Sequence, residues 1–484
     1  MQIDRIHEIN QSDTVGSLLK LNKRTIFIAS AFILLFIWVN ISYLLSSKDL
    51  INASIVVTML TFIFLGYITI EVITPRLPKK IRNYMIIWTA AKIILSTLFF
   101  SFAFVIRDGG ISSIYEYGDS FTYHRLASSY TDYWSTGILL ENPISLSSQA
   151  EQWGYGYFLG LLYHFTGQIP ENGIIVNGYL FLVFCLLSYK LYTESGLSQK
   201  DSITGMILLS FFPALWMWSS YLYKESLLFV VVLFCILAIF KINKKSKLGW
   251  LLFLIILQIP LITLRYTYVF IVMVVYFVSM YYMREKNILR NVEIVIIYCL
   301  FLFMTYFLVE NLLYKYGVFN LLEYSKQAIE AENISGGRFL TEGIGKSITI
   351  NNFFYVLPVK AIYILMSPFP WFGGTIFPDK IYFIFSHFDA IYICSLLIAA
   401  MYIIKNRKRI PIRNEQKILF IGGIAFLLLP LFMYDPTRRY ISMSVPFLVA
   451  YTLPVCKQNN IYKKTVIIAV GFAIIIQLCY YLIY

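Results

Sequence analysis

Apolar runs recur from one end of this chain to the other, separated by short polar connectors. Most are about 17–25 residues long, the length a helix needs to cross about 30 Å of hydrocarbon. A membrane β-barrel would instead show segments of about ten residues that alternate apolar and polar. The pattern predicts an all-α, polytopic transmembrane helix bundle with about thirteen spans. They fall at residues 25–46, 52–73, 83–106, 173–193, 202–219, 222–241, 248–264, 267–283, 291–313, 381–404, 417–434, 440–456 and 465–483. The run from Thr25 to Ser46 is too long for a signal core and has no small-residue cleavage site, so it is expected to stay as the first span.

Two apolar pieces do not fit as full spans. Gly154–Gly167 is short, and Phe353–Gly374 is interrupted by Pro358, Pro368 and Pro370. Such pieces read as interfacial or re-entrant helices. The chain then divides into a cytoplasmic segment (1–24), spans 1–3 (25–106) and a first loop with a juxtamembrane helix (107–172). Spans 4–9 (173–313), a second loop with a re-entrant or interfacial segment (314–380) and spans 10–13 (381–484) follow. No internal repeat or low-complexity tract is visible.

Composition agrees. Of 484 residues 59% are hydrophobic and only 14% charged, against about a quarter charged in soluble domains. The net charge of +14 sits mostly in connectors, so it reads as a topology signal and not as a nucleic-acid footprint. Arg76, Lys79, Lys80 and Arg82 follow span two; Lys241, Lys244, Lys245 and Lys247 follow span six; Arg284, Lys286 and Arg290 follow span eight. Lys405, Arg407, Lys408, Arg409, Arg413 and Lys417 follow span ten, and Lys457, Lys463 and Lys464 follow span twelve. All are even-numbered exits, which places them, and the N-terminus with Lys20, Lys23 and Arg24, on the cytoplasmic side. Tyr484 then ends outside.

The loop 107–153 is consequently extracytoplasmic and acidic, with six Asp/Glu against two Arg. The turns at Tyr221–Glu225, Arg265–Tyr266 and Asp435–Arg439 share its side. The cytoplasmic connectors are too short for a nucleotide-binding fold, and no P-loop or dinucleotide signature occurs. Six scattered cysteines without a CxxC or Cys/His cluster predict neither disulfides nor a zinc site.

Candidate chemistry concentrates on that outer side. Asp119 could act as a general base toward a hydroxyl, or could cap a helix over Phe121–Tyr130. His124 and Arg125 follow on the same helix; His124 could orient an acceptor or phosphate, or be solvated or packed on a tyrosine. Lys224 and Glu225 form a charged pair at a membrane edge, either an anchor or part of a site. Arg265 is flanked by apolar sequence on both sides and needs an anion or a carboxylate. Arg438 and Arg439 lie outside against the positive-inside trend, which a lipid pyrophosphate, acidic residues or headgroups would explain. Arg338, beside Gly336 and Gly337, reads as part of a ligand-closing segment. Trp134, Trp153, Trp216, Trp218 and Trp371 map near the outer face, where tryptophan serves as an interface anchor.

Several of these pieces resemble the GT-C superfamily of polytopic glycosyltransferases. Gly118-Asp119 followed by Tyr123-His124-Arg125-Leu126-Ala127 is similar to the first-loop acidic motif. Trp153 to Tyr163 is similar to the Gly/Tyr-rich juxtamembrane helix, with Asn177 in the next span. Arg439-Tyr440 with Pro446 resembles the late Arg-Tyr…Pro segment, and Pro213…Ser219-Ser220…Lys224-Glu225 a proline–serine–basic–Glu stretch. The resemblance covers about residues 83–456.

It implies a sugar donor linked to a polyprenyl phosphate, a glycan or lipid acceptor, and catalysis on the extracytoplasmic face of a bacterial inner membrane. Asp119 would be the base, with Arg265 and Arg439 neutralising the leaving phosphate and Lys224 assisting. Ser120 stands where the family often has a second acid, which would here have to be Glu116 or come from afar. Whether a divalent cation is bound is left open. An envelope polysaccharide polymerase or ligase would use the same face and chemistry. A lipid-linked glycan flippase would instead need ionisable groups near mid-membrane and repeat symmetry.

Overall fold

The computed structural model describes residues 23–106, 119–143, 153–245, 248–283, 379–432 (except 407, 409 and 411), 442–458, 467, 468 and 471. The span expected at 291–313, the segment Phe353–Gly374, and nearly all of 465–483 lie outside them.

Among the described residues the chain is helical, with no strand. The helices are α1 (Lys23–Ser46), α2 (Ile51–Ile73), α3 (Lys79–Ile106), α4 (Asp119–Thr136), α5 (Gly154–Thr166), α6 (Pro170–Glu194) and α7 (Gln199–Ser210). Then come α8 (Pro213–Trp218), α9 (Glu225–Lys245), α10 (Leu248–Arg265), α11 (Thr267–Met283), α12 (Asp379–Lys405), α13 (Asn414–Phe432) and α14 (Ser444–Gln458). Five of them, α1, α2, α3, α6 and α9, are long and apolar enough to cross a membrane. Shorter apolar helices include Gly249–Arg265 and Thr267–Met283.

Local chemistry sets the boundaries. Pro170 opens α6 at a position where the missing N–H costs nothing. Ser198 caps α7, accepting a bond from the Asp201 N–H at 3.1 Å. The single span expected at 202–219 is in fact two helices. Phe212 is extended (φ −68°, ψ 118°) because the following Pro213 disfavours a helical residue before it. The chain therefore stops after Ser210 and restarts as the six-residue α8.

α6 is the axis of the bundle. It packs on α2, α3, α7 and α9 and is buried along most of its length, as α9 is. α1 is the most exposed of the five long helices. In hydrocarbon there is little hydrophobic force between helices, so small residues and interhelical hydrogen bonds hold them. Trp38 Nε1 donates to Thr58 Oγ1 at 3.0 Å, joining α1 to α2. Thr69 and Tyr179 share a 2.8 Å hydroxyl bond between α2 and α6.

α9 and α10 form a tight antiparallel pair joined by residues 246–247. Their open end brings Glu225, first in α9, beside Arg265, last in α10. That end of the bundle also carries the C-terminus of α1 and the N-terminus of α6.

Candidate functional site

α5 lies along this end of the bundle. At its start, a Cβ on Gly154 would fall 2.4 Å from Thr263 Oγ1, near the last turn of α10. Just past its end, a Cβ on Gly167 would fall 2.6 Å from Ser46 Cβ, at the last residue of α1. A helix whose two ends touch the same end of two long helices runs across them. The short helix expected at Gly154–Gly167 is thus present, lying across the bundle end.

α4 packs on α5. Gly156 lets it approach, since a Cβ there would come within 2.5 Å of Leu126. Thr131 Oγ1 donates to Gly160 O at 3.1 Å, and Tyr123 meets Tyr155 edge-on at 5.0 Å between ring centroids. The helix expected over Phe121–Tyr130 runs further, from Asp119 to Thr136, and Asp119 is the acid of its first turn. The helix dipole favours a carboxylate there. Tyr123 sits one turn on, on the same face.

Beneath α4 and α5 lies a buried charged cluster. Lys224 Nζ is 5.8 Å from the centre of the Tyr123 ring, within cation–π range. Glu225 Oε1 is 3.8 Å from Arg265 Nη2, and the Arg265 guanidinium lies 5.6 Å from the Tyr268 ring. All three charged side chains are buried. Two of the charges suit their helix ends, Glu225 at an N-terminus and Arg265 at a C-terminus, whereas Lys224 precedes an N-terminus.

The turn that carries Lys224 is anchored by Asn177 of α6. Its amide Nδ2 lies within donating distance of the carbonyls of Tyr221 (2.7 Å) and Tyr223 (3.0 Å) and of the Tyr155 hydroxyl (2.8 Å). Burial pushes the Tyr155 hydroxyl pKa well up, so it stays protonated. Asn177 is about two turns into α6, so the turn sits about 10 Å below the first residue of that helix. Lys224 and Glu225 therefore lie recessed from the start of α6.

No protein-family model, curated protein or solved structure matches the chain. The functional reading stands on the residues and their geometry.

The structure brings Lys224, Glu225 and Arg265 together and sets Asp119 one turn from the ring that Lys224 approaches. His124 is half-buried against α5, with Nδ1 3.0 Å from the Tyr163 hydroxyl, and burial lowers its pKa. Arg125 is exposed on another face of α4 and does not join the cluster. Arg338, Arg438, Arg439 and Trp371 lie outside the described residues. Of the tryptophans expected as interface anchors, Trp134 and Trp218 are buried. Trp134 Nε1 donates to Glu141 O at 2.8 Å, so its polar edge is used inside the fold.

Two buried ionisable residues come from the structure alone. Lys92, deep in α3, donates to Ser96 Oγ (2.9 Å), to Trp216 O (2.7 Å) and to Ser220 Oγ, and lies 4.2 Å from the Trp216 ring. Asp389 of α12 accepts from the Ala214 N–H at 2.9 Å. They hold opposite ends of α8, an acid at its N-terminus and a base at its C-terminus, as the helix dipole favours. A lone lysine inside Ala90-Ala91-Lys92-Ile93-Ile94 was a visible signal for the first. Nothing local marked Asp389 as a cap for a helix 175 positions away.

Two cationic side chains, Lys224 and Arg265, and the Glu225 carboxylate are thus buried together beneath a helix that begins with a carboxylate. Among the described residues no three His, Cys, Asp or Glu side chains converge as metal ligands.

Proposed function

We propose that this chain is an integral membrane glycosyltransferase of GT-C type. It would transfer a sugar from a polyprenyl-phosphate-linked donor to an envelope glycan or lipid acceptor, on the extracytoplasmic face of a bacterial inner membrane. Thirteen spans with a cytoplasmic N-terminus belong to this reading. The observation that carries it is the recessed Lys224–Glu225–Arg265 cluster beneath the helix that Asp119 opens. Buried charges below the membrane surface are costly and mark sites.

In this mechanism Asp119 takes the proton of the acceptor hydroxyl. The acceptor oxygen bonds to the anomeric carbon as the bond from that carbon to the phosphate oxygen breaks. The lipid phosphate departs with the electron pair. Lys224 and Arg265 stabilise the charge that develops on it. Arg439 would add a further charge.

Two alternatives share the site. A polymerase or ligase would move a whole oligosaccharide by the same bond changes. A flippase gains from Lys92 and Asp389, two ionisable groups buried within helices, although both are engaged at the ends of α8.

The test is purified protein in proteoliposomes with a radiolabelled polyprenyl-phosphate sugar and a lipid acceptor. A single labelled product supports transfer, and a ladder supports polymerisation. Translocation of the lipid without any product overturns the enzyme reading.

A further inference from the structure

The turn that follows α4 has an unusual polarity. Ile138, Leu139 and Leu140 are adjacent, and their exposures are 71%, 42% and 51%. Leu140 is held at φ 69°, a left-handed conformation that a leucine rarely adopts. Four aromatic side chains hold the polar atoms of this turn. Tyr157 donates its hydroxyl to Leu140 O at 2.8 Å, and Trp134 Nε1 donates to Glu141 O at 2.8 Å. Tyr133 donates to the Glu141 carboxylate at 2.7 Å, and Tyr130 to Asn142 Oδ1 at 2.7 Å.

The turn is thus built inside out for water. The carbonyls of Leu140 and Glu141 are satisfied from within the α4–α5 layer while three aliphatic side chains are pushed outward. A surface with paired backbone groups and aliphatic side chains suits hydrocarbon, where an open carbonyl would be costly. The ring of Tyr and Trp directly behind it is the composition found at the boundary between headgroups and acyl chains.

Its place in the fold says which apolar phase is near. Asp132, in the last turns of α4, accepts from Gln168 Nε2 at 2.7 Å. Gly167, the neighbour of Gln168, abuts Ser46 at the end of α1. The tip is therefore held on the α4–α5 layer, which lies across the same bundle end as the long apolar helix α1, whose Phe32, Ile33, Phe36, Tyr43 and Leu44 are exposed.

We propose that Ile138-Leu139-Leu140 is a lipid-docking tip that enters the membrane leaflet and fixes α4 over the bundle end. Its partner is the acyl region of the bilayer, not a second protein.

The experiment places a single environment-sensitive fluorophore on Leu139→Cys in the full chain, reconstituted in phospholipid nanodiscs. The unsubstituted protein, labelled in parallel, gives the background from the native thiols; Cys185, Cys235 and Cys394 are buried. Ser135→Cys, on the exposed face of α4, is the comparison position. If Leu139→Cys does not migrate as a single species on size exclusion, Ile138→Cys takes its place. Emission from the tip should be lost with lipids brominated on their acyl chains and should resist aqueous iodide, with the opposite order at position 135. Loss with iodide and none with brominated lipid would overturn the proposal. So would insensitivity to both quenchers together with thiol crosslinking between copies at 139, which would make the tip a protein contact.

Discussion

Glu225 and Arg265 meet at the open end of the α9–α10 pair, Oε1 to Nη2 at 3.8 Å, both shielded from solvent. The two helices pack along each other, the start of one against the end of the other. Two residues forty positions apart thus become neighbours, and each supplies the charge its helix end prefers.

Breaking a buried ion pair by removing one member costs about 3–5 kcal/mol. Glu225→Gln and Arg265→Met should each destabilise strongly, and the double variant should lose clearly less than the sum. Thermal unfolding followed by size exclusion measures all three. Strict additivity would show that the two groups do not interact.

Asp119→Asn keeps the size of the side chain and removes its basicity. Loss of a general base lowers rate about 10²–10⁴-fold. Labelled-sugar transfer should fall by that order while expression and elution volume stay unchanged. An active Asp119→Asn protein would end the assignment.

Asn177→Leu removes an amide that is within donating distance of two carbonyls of the Lys224 turn and the Tyr155 hydroxyl. An unsatisfied buried polar group costs about 1–3 kcal/mol. Stability should drop by at least that much, and Lys224→Cys, silent to a small methanethiosulfonate reagent in the parent, should become reactive in the Asn177→Leu background.

Asp389→Leu leaves the Ala214 N–H without its acceptor, whereas Asp389→Asn retains an oxygen. The leucine variant should lose about 1–3 kcal/mol and the asparagine variant less. Equal losses would mean that the cap contributes nothing.

His124 has a pKa below its ordinary 6.5 because burial disfavours the charged ring. In acid the unfolded chain therefore binds a proton more readily than the folded one. The stabilising contribution is complete above pH 6.5 and is lost as pH falls through the folded value. Melting temperature should decline over that window in the parent and decline less in His124→Gln. Parallel profiles would assign the acid sensitivity elsewhere.

Much of the fold was legible in the hydrophobic pattern. The helices at 25–46, 52–73 and 173–193 appear within a few residues of their expected bounds, since long apolar runs have few alternatives in hydrocarbon. The helix at Gly154–Gly167 was legible as a short element because its apolar run ends after about fourteen residues. The split of 202–219 was signalled by Pro213 but hidden by unbroken hydropathy on both sides. The recessed depth of Lys224–Glu225 had no signal at all, because depth depends on where neighbouring helices end.

The sequence by itself determined the helical class, the apolar lengths and which residue types were available for acid–base and anion chemistry. Those are local properties, written in periodicity and in the cost of exposing a peptide group to hydrocarbon. The tertiary structure decided which charges meet. It paired Arg265 with Glu225, gave Asn177 to the Lys224 turn, and set Lys92 and Asp389 at the two ends of α8. Each pairing joins residues far apart in the chain, and burial makes such pairings obligatory while connectivity and helix length select the partners.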